Sequence, residues 1–338
     1  MKKGICVIVG VAFLGLCLFF WQERGAAGEQ GGESKKPFTL ILQWVPQAQF
    51  AGYYVALEKG LYKEKGLDVR VIRGGPDRDG VDYLQRGEAD FAVLFLSGAL
   101  SARDQSVPVV NLAQVVNQSN LMLIGWKDQG VESVQQLNGK RISLWGGVFQ
   151  ADFQSFFAAR GLRPQLLPQY YSVNLFINKG VAVCSAMHYN EYHVLYQAGI
   201  DEQQLSTFFM KDYGCGFPED GLYCLESTLK AHPQESRAFA EASLAGWQYA
   251  AAHEEEALDI VMKYVQEANL PTNRAHMRWM LKTILATIIP EGASSAWKLG
   301  VLTKEDYQRT VEALQWHGLL RATPAYENFY RGIGNDVQ

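Results

Sequence analysis

Residues 40–72 constrain the fold more than any other part of this 338-residue chain. An apolar run ends in a Trp-Val-Pro turn at Trp44 and Pro46. A helix is predicted over residues 51–65, and Gly66 then opens a second apolar run. A strand, a helix and another strand in this order predict a βαβ unit. In such a unit the two strands lie parallel in one sheet, and the helix that connects them makes a right-handed crossover.

The same alternation continues along the chain and predicts an α/β fold class. Residues 89–96 (ADFAVLFL) are an apolar run of strand length, which suits a sheet covered on both faces. The rhythm restarts at residue 139, and from Leu229 onward the pattern is mainly helical. We therefore expect lobe 1 to comprise residues 38–126 and 223–338, with lobe 2, residues 127–222, inserted into it.

The N-terminus carries a targeting pattern. Lys2 and Lys3 precede an apolar run from Ile5 to Trp21, and a small, polar stretch follows. This order is typical of a secretion signal, and the run is also just long enough for an uncleaved anchor. We expect residues 1–28 to be a signal peptide or anchor and residues 29–37 a linker. The remainder would lie outside the cytoplasm, in the periplasm.

Charge and cysteine content exclude some classes of function. The net charge is −4, and no cluster of Lys and Arg is present, which argues against nucleic acid as a partner. Cys184, Cys215 and Cys224 remain beyond the targeting segment. Cys215 and Cys224 could form a disulfide in an oxidising compartment, or the cysteines could be small buried hydrophobes. No spacing typical of a zinc site occurs, so we expect no metal.

Two segments connect the chain to a known superfamily. Residues 56–69 (ALEKGLYKEKGLDV) and 87–90 (GEAD) resemble bacterial periplasmic solute-binding proteins, including binders of sulfonates, taurine and nitrate. The resemblance extends over about residues 38–325. It implies a type II periplasmic-binding-protein fold, in which two α/β lobes hold a ligand cleft between them.

Trp44-x-Pro46 combined with Tyr189-Asn190-Glu191 narrows the resemblance to the branch that binds pyrimidine precursors of thiamine. That branch implies the substrate-binding component of an ABC importer, which captures a pyrimidine of the hydroxymethyl or formylamino type. The implied partners are a small heteroaromatic ligand and a membrane permease. We accordingly expect a monomer that needs no cofactor and is not an enzyme.

The candidate binding groups follow from where a ligand sits in such lobes, beyond the carboxyl ends of the strands. Trp44 offers one flat apolar face and Tyr189 another, so together they would sandwich one ring between the lobes. Glu191 can accept a pair of hydrogen bonds from an aminopyrimidine. Glu191 could equally be a first-turn helix residue that the helix dipole favours.

Further candidates lie in loops that follow other strands, or where the chain crosses between lobes. Ser97 would cap its helix or hydrogen-bond a ligand edge, and glycines allow a ligand to approach the backbone closely. Tyr170 and Tyr171 would line the cleft or pack on the surface. The remaining predicted ligand-binding residues are Phe50, Tyr53, Asn117, Gly146, Gly147, Phe149, Asn190 and Asp220.

Other functions stay open. Eukaryotic proteins of the same family are enzymes that build the pyrimidine with a lysine-bound pyridoxal phosphate. The resemblance places their Lys and His after the strand that matches residues 90–95, but residues 90–98 here contain neither, so no Schiff base can form there. Phe50 replaces a residue that is polar in many pyrimidine binders, which keeps riboflavin or an aromatic sulfonate open as the ligand. An uncleaved anchor would instead fit a membrane-anchored sensory domain.

Overall fold

In the computed structural model, which describes residues 36–146, 150–290 and 298–332, strands are interspersed with helices up to residue 225, and the elements that follow are helical. The strands are β1 Phe38–Ile41, β2 Val69–Ile72, β3 Phe91–Phe95, β4 Val109–Gln114, β5 Leu121–Trp126, β6 Arg141–Trp145, β7 Gln165–Gln169, β8 Val183–Met187, β9 Leu205–Phe209 and β10 Asp220–Leu225. The helices are α1 Ala51–Glu58, α2 Leu61–Glu64, α3 Gly80–Gln85, α4 Leu96–Asp104, α5 Gln150–Ala159, α6 Asn174–Ile177, α7 Glu191–Gln197, α8 Glu226–Ala231, α9 Pro233–Ala252, α10 Glu254–Glu267, α11 Arg274–Ile288, α12 Lys304–Trp316 and α13 Tyr326–Phe329.

These strands form two five-stranded sheets, ordered β2-β1-β3-β10-β4 and β7-β6-β8-β5-β9. In each sheet the strand that arrives from the other sheet, β10 or β5, runs antiparallel to both of its neighbours. Helices pack on the sheets, so the predicted α/β class with two lobes is confirmed.

The boundary between the lobes needs one correction. We expected residues 121–126 in lobe 1, but this strand, β5, pairs with β8 and β9 in the second sheet. Conversely, β10 returns to the first sheet from its first residue, Asp220. We therefore propose that lobe 1 ends after β4 and resumes at β10, and we use the two lobe names in this sense.

The chain crosses between the lobes in two adjacent segments, which the carboxylate of Glu219 holds together. Its Oε1 accepts a hydrogen bond from the Ser119 hydroxyl at 3.0 Å, and its Oε2 accepts one from Asn120 Nδ2 at 3.1 Å. The Asn120 backbone N–H donates to the same group. Burial raises the pKa of Glu219 to about 8, although these donors oppose the shift.

The first βαβ unit forms as predicted, with β1 and β2 parallel and Phe38 beside Val69. The single helix expected over residues 51–65 is two helices, because Gly60 adopts a left-handed φ of 75° between them. The mainly helical pattern predicted from Leu229 onward is confirmed by helices α9 to α12. The edge strand β7 was missed, since Pro168 within it weakens a strand pattern.

The cysteines that the structure describes do not form the disulfide considered above. Cys184, Cys215 and Cys224 are all buried and free. Cys224 lies within β10, while the Cys215 sulfur packs 3.9 Å from the hydroxyl of Ser155. Among the described residues no helix combines the length and apolarity needed to cross a bilayer. The predicted targeting segment, residues 1–28, lies outside those residues.

Helices α1 and α9 of lobe 1 approach each other closely through two glycines. A Cβ added at Gly246 would lie 2.1 Å from the Gly52 carbonyl oxygen, and one added at Gly52 would lie 2.3 Å from the Trp247 ring. The contact therefore depends on the absence of side chains at both positions. It places α1, which follows the Trp44 loop, firmly against the C-terminal helices.

Replacing Gly246 with alanine tests this contact. At an exposed helix position alanine is more stabilising than glycine. Here, however, the added methyl group would overpack the contact and should lower the free energy of unfolding by about 1–3 kcal/mol. Chemical denaturation would measure the change. Ser236→Ala in the same helix is the control, because its buried hydroxyl has no hydrogen-bond partner among the described residues. A Gly246→Ala protein as stable as the wild type would contradict the proposed close contact.

Candidate functional site

Trp44 occupies the centre of the cleft between the lobes and lines three neighbouring cavities. Cavity A, about 470 Å³, extends from Trp44 past Trp145 to Tyr170. Cavity B, about 910 Å³, extends the other way, past Tyr171 to His276. Cavity C, about 20 Å³, is the narrow space that remains between them; its walls are Gln43, Trp44, Gln47, Gln49, Trp145, Met187, Tyr189, Asn190 and Glu191.

Aromatic side chains from both lobes meet around Trp44. Its ring centroid lies 6.4 Å from that of Trp145, edge to face, and 5.3 Å from that of Tyr171. Tyr189, which is 1% exposed, belongs to the wall of cavity C. Trp44 lies in the loop between β1 and the 3-10 helix Ala48–Phe50 of lobe 1, whereas the other three come from lobe 2. These faces can hold a flat ring only when both lobes contribute.

Glu191 is the acidic group of this site and the first residue of α7. Its Oε2 accepts a hydrogen bond from the Met187 backbone N–H at 2.9 Å, and its Oε1 accepts one from Asn190 Nδ2 at 2.8 Å. Burial raises its pKa to about 7, while these donors limit the shift. The prediction that Trp44, Tyr189, Asn190 and Glu191 lie together is consistent with this geometry.

Gln43 is a site residue that the sequence reasoning missed. It is 7% exposed, it lines cavities A and C, and neither atom of its side-chain amide has a hydrogen-bond partner among the described residues. A buried amide without partners is costly, so its place in a cleft wall points to a ligand that would satisfy it. The sequence carries one sign of such a role, which is that Gln43 is a polar residue beside Trp44 and directly after an apolar strand.

Asp220 supports the cleft wall from behind. Its Oδ2 accepts a hydrogen bond from Gln49 Nε2 at 2.7 Å, and Gln49 Oε1 accepts one from Gln47 Nε2 at 2.6 Å. Burial raises the pKa of Asp220 to about 7. Asp220 lines none of the three cavities, so its predicted place in the binding surface is corrected to a place one layer behind it.

Phe50 and Tyr53 belong to the core of lobe 1 rather than to the cleft. Phe50 is completely buried, and Tyr53 packs edge to face on Trp247 at 5.9 Å. The short 3-10 helix Ala48–Phe50 turns the chain inward, so these aromatics point away from the cavities. Neither side chain lines cavity A, B or C, so their assignment to the binding surface stays a prediction.

Ser97 neither caps a helix nor lines a cavity. Helix α4 already begins at Leu96, with Phe95 in the capping position, and the Ser97 hydroxyl donates to Asp152 Oδ2 at 2.7 Å. This buried bond joins lobe 1 to α5 of lobe 2. Asn117, in a crossing segment, likewise lines none of the three cavities, and its Oδ1 is buried without a partner among the described residues.

Gly146 lines cavity A, and a Cβ added there would meet no described atom within 4 Å. Gly147 and Phe149, predicted to belong to the same loop, lie outside the described residues. In the part of the chain that the structure describes, no group of three His, Cys, Asp or Glu side chains is placed to hold a metal ion.

A second tie between the lobes lies beside Trp44, at the edge of cavity B. The Tyr171 hydroxyl donates a hydrogen bond to Asp77, and Arg73 Nη2 pairs with Asp77 Oδ2 at 2.9 Å. Arg73 and the Tyr171 hydroxyl hold the pKa of Asp77 well below its usual range. Tyr171 therefore lines the cleft, whereas its neighbour Tyr170 is largely exposed at the rim of cavity A.

Known proteins resemble the chain over most of its length. It is 26% identical to a formylaminopyrimidine-binding protein of Halalkalibacterium halodurans, over 98% of both chains. It is 25% identical to riboflavin-binding protein RibY of Chloroflexus aurantiacus, over 84% of this chain and 82% of that one. It is also 23% identical to a 4-amino-5-hydroxymethyl-2-methylpyrimidine phosphate synthase of Saccharomyces cerevisiae, over 62% of this chain and 65% of the enzyme.

Solved structures agree on the fold. The alkanesulfonate-binding protein SsuA of Xanthomonas axonopodis pv. citri superposes with a TM-score of 0.65 at 14% identity, covering 88% of this chain and 98% of that one. The predicted periplasmic-binding-protein fold is thereby confirmed. A family model described as "NMT1/THI5 like" matches residues 47–257. The chain therefore belongs to the NMT1/THI5-like family, as its Trp44 and Glu191 segments predicted.

Proposed function

We propose that this protein is the extracytoplasmic substrate-binding component of an ABC importer and that it captures a thiamine pyrimidine precursor. The ligand would be of the hydroxymethylpyrimidine or formylaminopyrimidine type and would be held by closure of the two lobes. One observation carries the proposal. A buried carboxyl group, Glu191, faces the Trp44 loop across a cleft that is otherwise walled by aromatic rings and glutamine amides.

Cavity C is where the ring would sit. Its present volume, about 20 Å³, is below that of any heterocycle, and ties between the lobes cross the cleft on both sides. A ligand would therefore enter an open arrangement and shift the equilibrium toward closure around it. Trp44 and Tyr189 would then contact the ring, and its substituents would project into cavity A or B.

Polar groups are placed to recognise the ring edge. Each oxygen of Glu191 accepts one protein hydrogen bond and retains capacity for another, so the group can contact an exocyclic amine and the adjacent ring nitrogen together. The Gln43 amide offers one donor and one acceptor from the opposite lobe. An aminopyrimidine presents both kinds of group along its edge, which favours it over a purely apolar ring.

The full-length likeness to a formylaminopyrimidine-binding protein supports this ligand class. A second candidate is riboflavin, favoured by the likeness to a riboflavin-binding protein and by the large cavities A and B on either side of Trp44. Titration of the protein with each compound, and competition between them, would separate the two. Tight binding of riboflavin with no effect of an aminopyrimidine would overturn our choice of ligand.

A binding role is favoured over catalysis despite the likeness to pyrimidine synthases. The stretch after β3, where the resemblance places the enzymes' Lys and His, holds the buried Ser97 bonded to Asp152. The targeting pattern at Lys2 to Trp21 supports a periplasmic location and a permease as partner, with the protein acting as a monomer. Sequencing the mature N-terminus would distinguish a free periplasmic protein from a membrane-anchored sensory domain.

Glu191→Gln tests the central contact. The amide keeps the size of the side chain but loses the charge and two of its acceptor positions. Since hydrogen bonds to a charged group contribute about 1.5–3 kcal/mol, affinity for an aminopyrimidine should fall roughly tenfold to a hundredfold. Isothermal titration calorimetry would measure it. Glu202→Gln, an exposed change in the same lobe, is the control, and equal affinity for all three proteins would exclude the role of Glu191.

The affinity should also depend on pH. A carboxyl group and a ring nitrogen share one proton when they pair, so loss of that proton weakens the pair. Burial raises the pKa of Glu191 to about 7, which means that the proton is present below that pH and is lost above it. We expect calorimetric affinity to decline from pH 7 to pH 9, by up to about tenfold per unit. An affinity that rises over this range would contradict the pairing.

Gln43→Leu should separate binding from stability. Leucine removes two buried polar atoms that lack partners among the described residues, so the free energy of unfolding should rise by about 1–3 kcal/mol while affinity falls. Denaturant unfolding and calorimetry would measure the two effects. Gln114→Leu is the matched control, because that buried amide donates to two backbone carbonyls and its loss should destabilise the protein. Unchanged affinity in Gln43→Leu would remove Gln43 from the site.

A further inference from the structure

We propose that His276 is a positioning residue, which fixes the orientation of Asn190 from the opposite lobe and through it prepares Glu191 to receive the ligand. The inference rests on the proposed function, since it concerns the same acidic group. His276 lies on α11, a helix that packs on α10 and the Ala48–Phe50 turn of lobe 1. Asn190 and Glu191 lie in lobe 2.

Local structure places the His276 ring where it can reach Asn190 across the cleft. The side chain of Asn273 caps α11 by accepting a hydrogen bond from the His276 backbone N–H at 2.9 Å. His276 is 3% exposed, and its side chain lines cavity B. Its Nε2 lies 2.9 Å from Asn190 Oδ1, and its Nδ1 lies 2.8 Å from His193 Nδ1.

The direction of each hydrogen bond follows from the one before it. With Glu191 ionised, the carboxylate can only accept, so Asn190 must direct its Nδ2 toward it, at 2.8 Å. Asn190 Oδ1 then faces His276 and requires a proton on Nε2. In the neutral ring Nδ1 is the acceptor, and His193 must donate to it. Burial and the neighbouring His193 lower the pKa of His276 to about 4, which agrees with a neutral ring.

The contact exists only while the lobes are together. Besides the bond to Asn190, Trp279 of α11 stacks on His193 of α7, with centroids 4.8 Å apart and planes 6° apart. Closure of the lobes therefore brings the His276 ring into contact with Asn190. Because Asn190 is then fixed in orientation, the ligand has less ordering to impose on Glu191. Pre-organisation of this kind raises affinity without any contact between His276 and the reactive edge of the ligand.

Two substitutions distinguish positioning from packing. Glutamine at position 276 retains an N–H donor for Asn190, whereas leucine fills similar space without one. We expect His276→Gln to bind an aminopyrimidine within about threefold of the wild type and His276→Leu to bind about tenfold more weakly, with faster dissociation. Calorimetry and stopped-flow fluorescence would measure both quantities, with Lys282→Gln, an exposed change on the same helix, as the control.

Equal losses in the two His276 variants would assign the residue to packing alone, and wild-type affinity in His276→Leu would overturn the proposal. Nitrogen chemical shifts of the two imidazoles give a readout that needs no ligand. We expect the His276 proton on Nε2, and a proton on Nδ1 alone would also overturn the proposal. If the wild type binds no aminopyrimidine, the proposed function fails, while these shifts still decide whether His276 orients Asn190.

Discussion

The arrangement of the whole molecule depends on two chain segments that cross between the lobes and on the carboxylate that fastens them together. Glu219 accepts hydrogen bonds from Ser119 and Asn120, so the outgoing and returning segments behave as one connection. Each segment then enters its sheet as an antiparallel strand among its neighbours. Trp44 and Glu191, which line the same cavity, belong to the two lobes that this connection joins.

The binding groups are divided between the lobes in a complementary way. In our proposal lobe 1 contributes the Trp44 indole and the Gln43 amide, which has no hydrogen-bond partner among the described residues, and lobe 2 contributes the acidic group and further rings. In the proposed complex each lobe would supply an aromatic face and a polar group for the ring edge, so only the two surfaces together would enclose the ring. Recognition and closure are therefore one event in the mechanism that we propose, because the complete set of contacts forms only when the faces come together.

Much of the fold could be predicted because hydrophobic periodicity and chain order carry it. The alternation of strands and helices followed from local pattern, whereas the expectation that Trp44 and Glu191 bind one ligand came from resemblance and stays a prediction. Gln43 and His276 could not be found in this way, because their roles depend on partners that are distant in the sequence. Ser97 was misjudged for a smaller reason: its helix begins two residues earlier than a serine cap at this position requires.

The groups that we propose to contact the ring all line cavity C, whereas Tyr170 lines cavity A and Met277 lines cavity B without reaching cavity C. In the complex that we propose, contact with the heterocycle and space for its substituents would therefore depend largely on different residues. A ligand with a different ring substituent would then be accommodated by changes in the walls of cavities A and B, such as those near Tyr170 or Met277. The same fold can in this way change its specificity for ring substituents while its contacts with the ring stay the same.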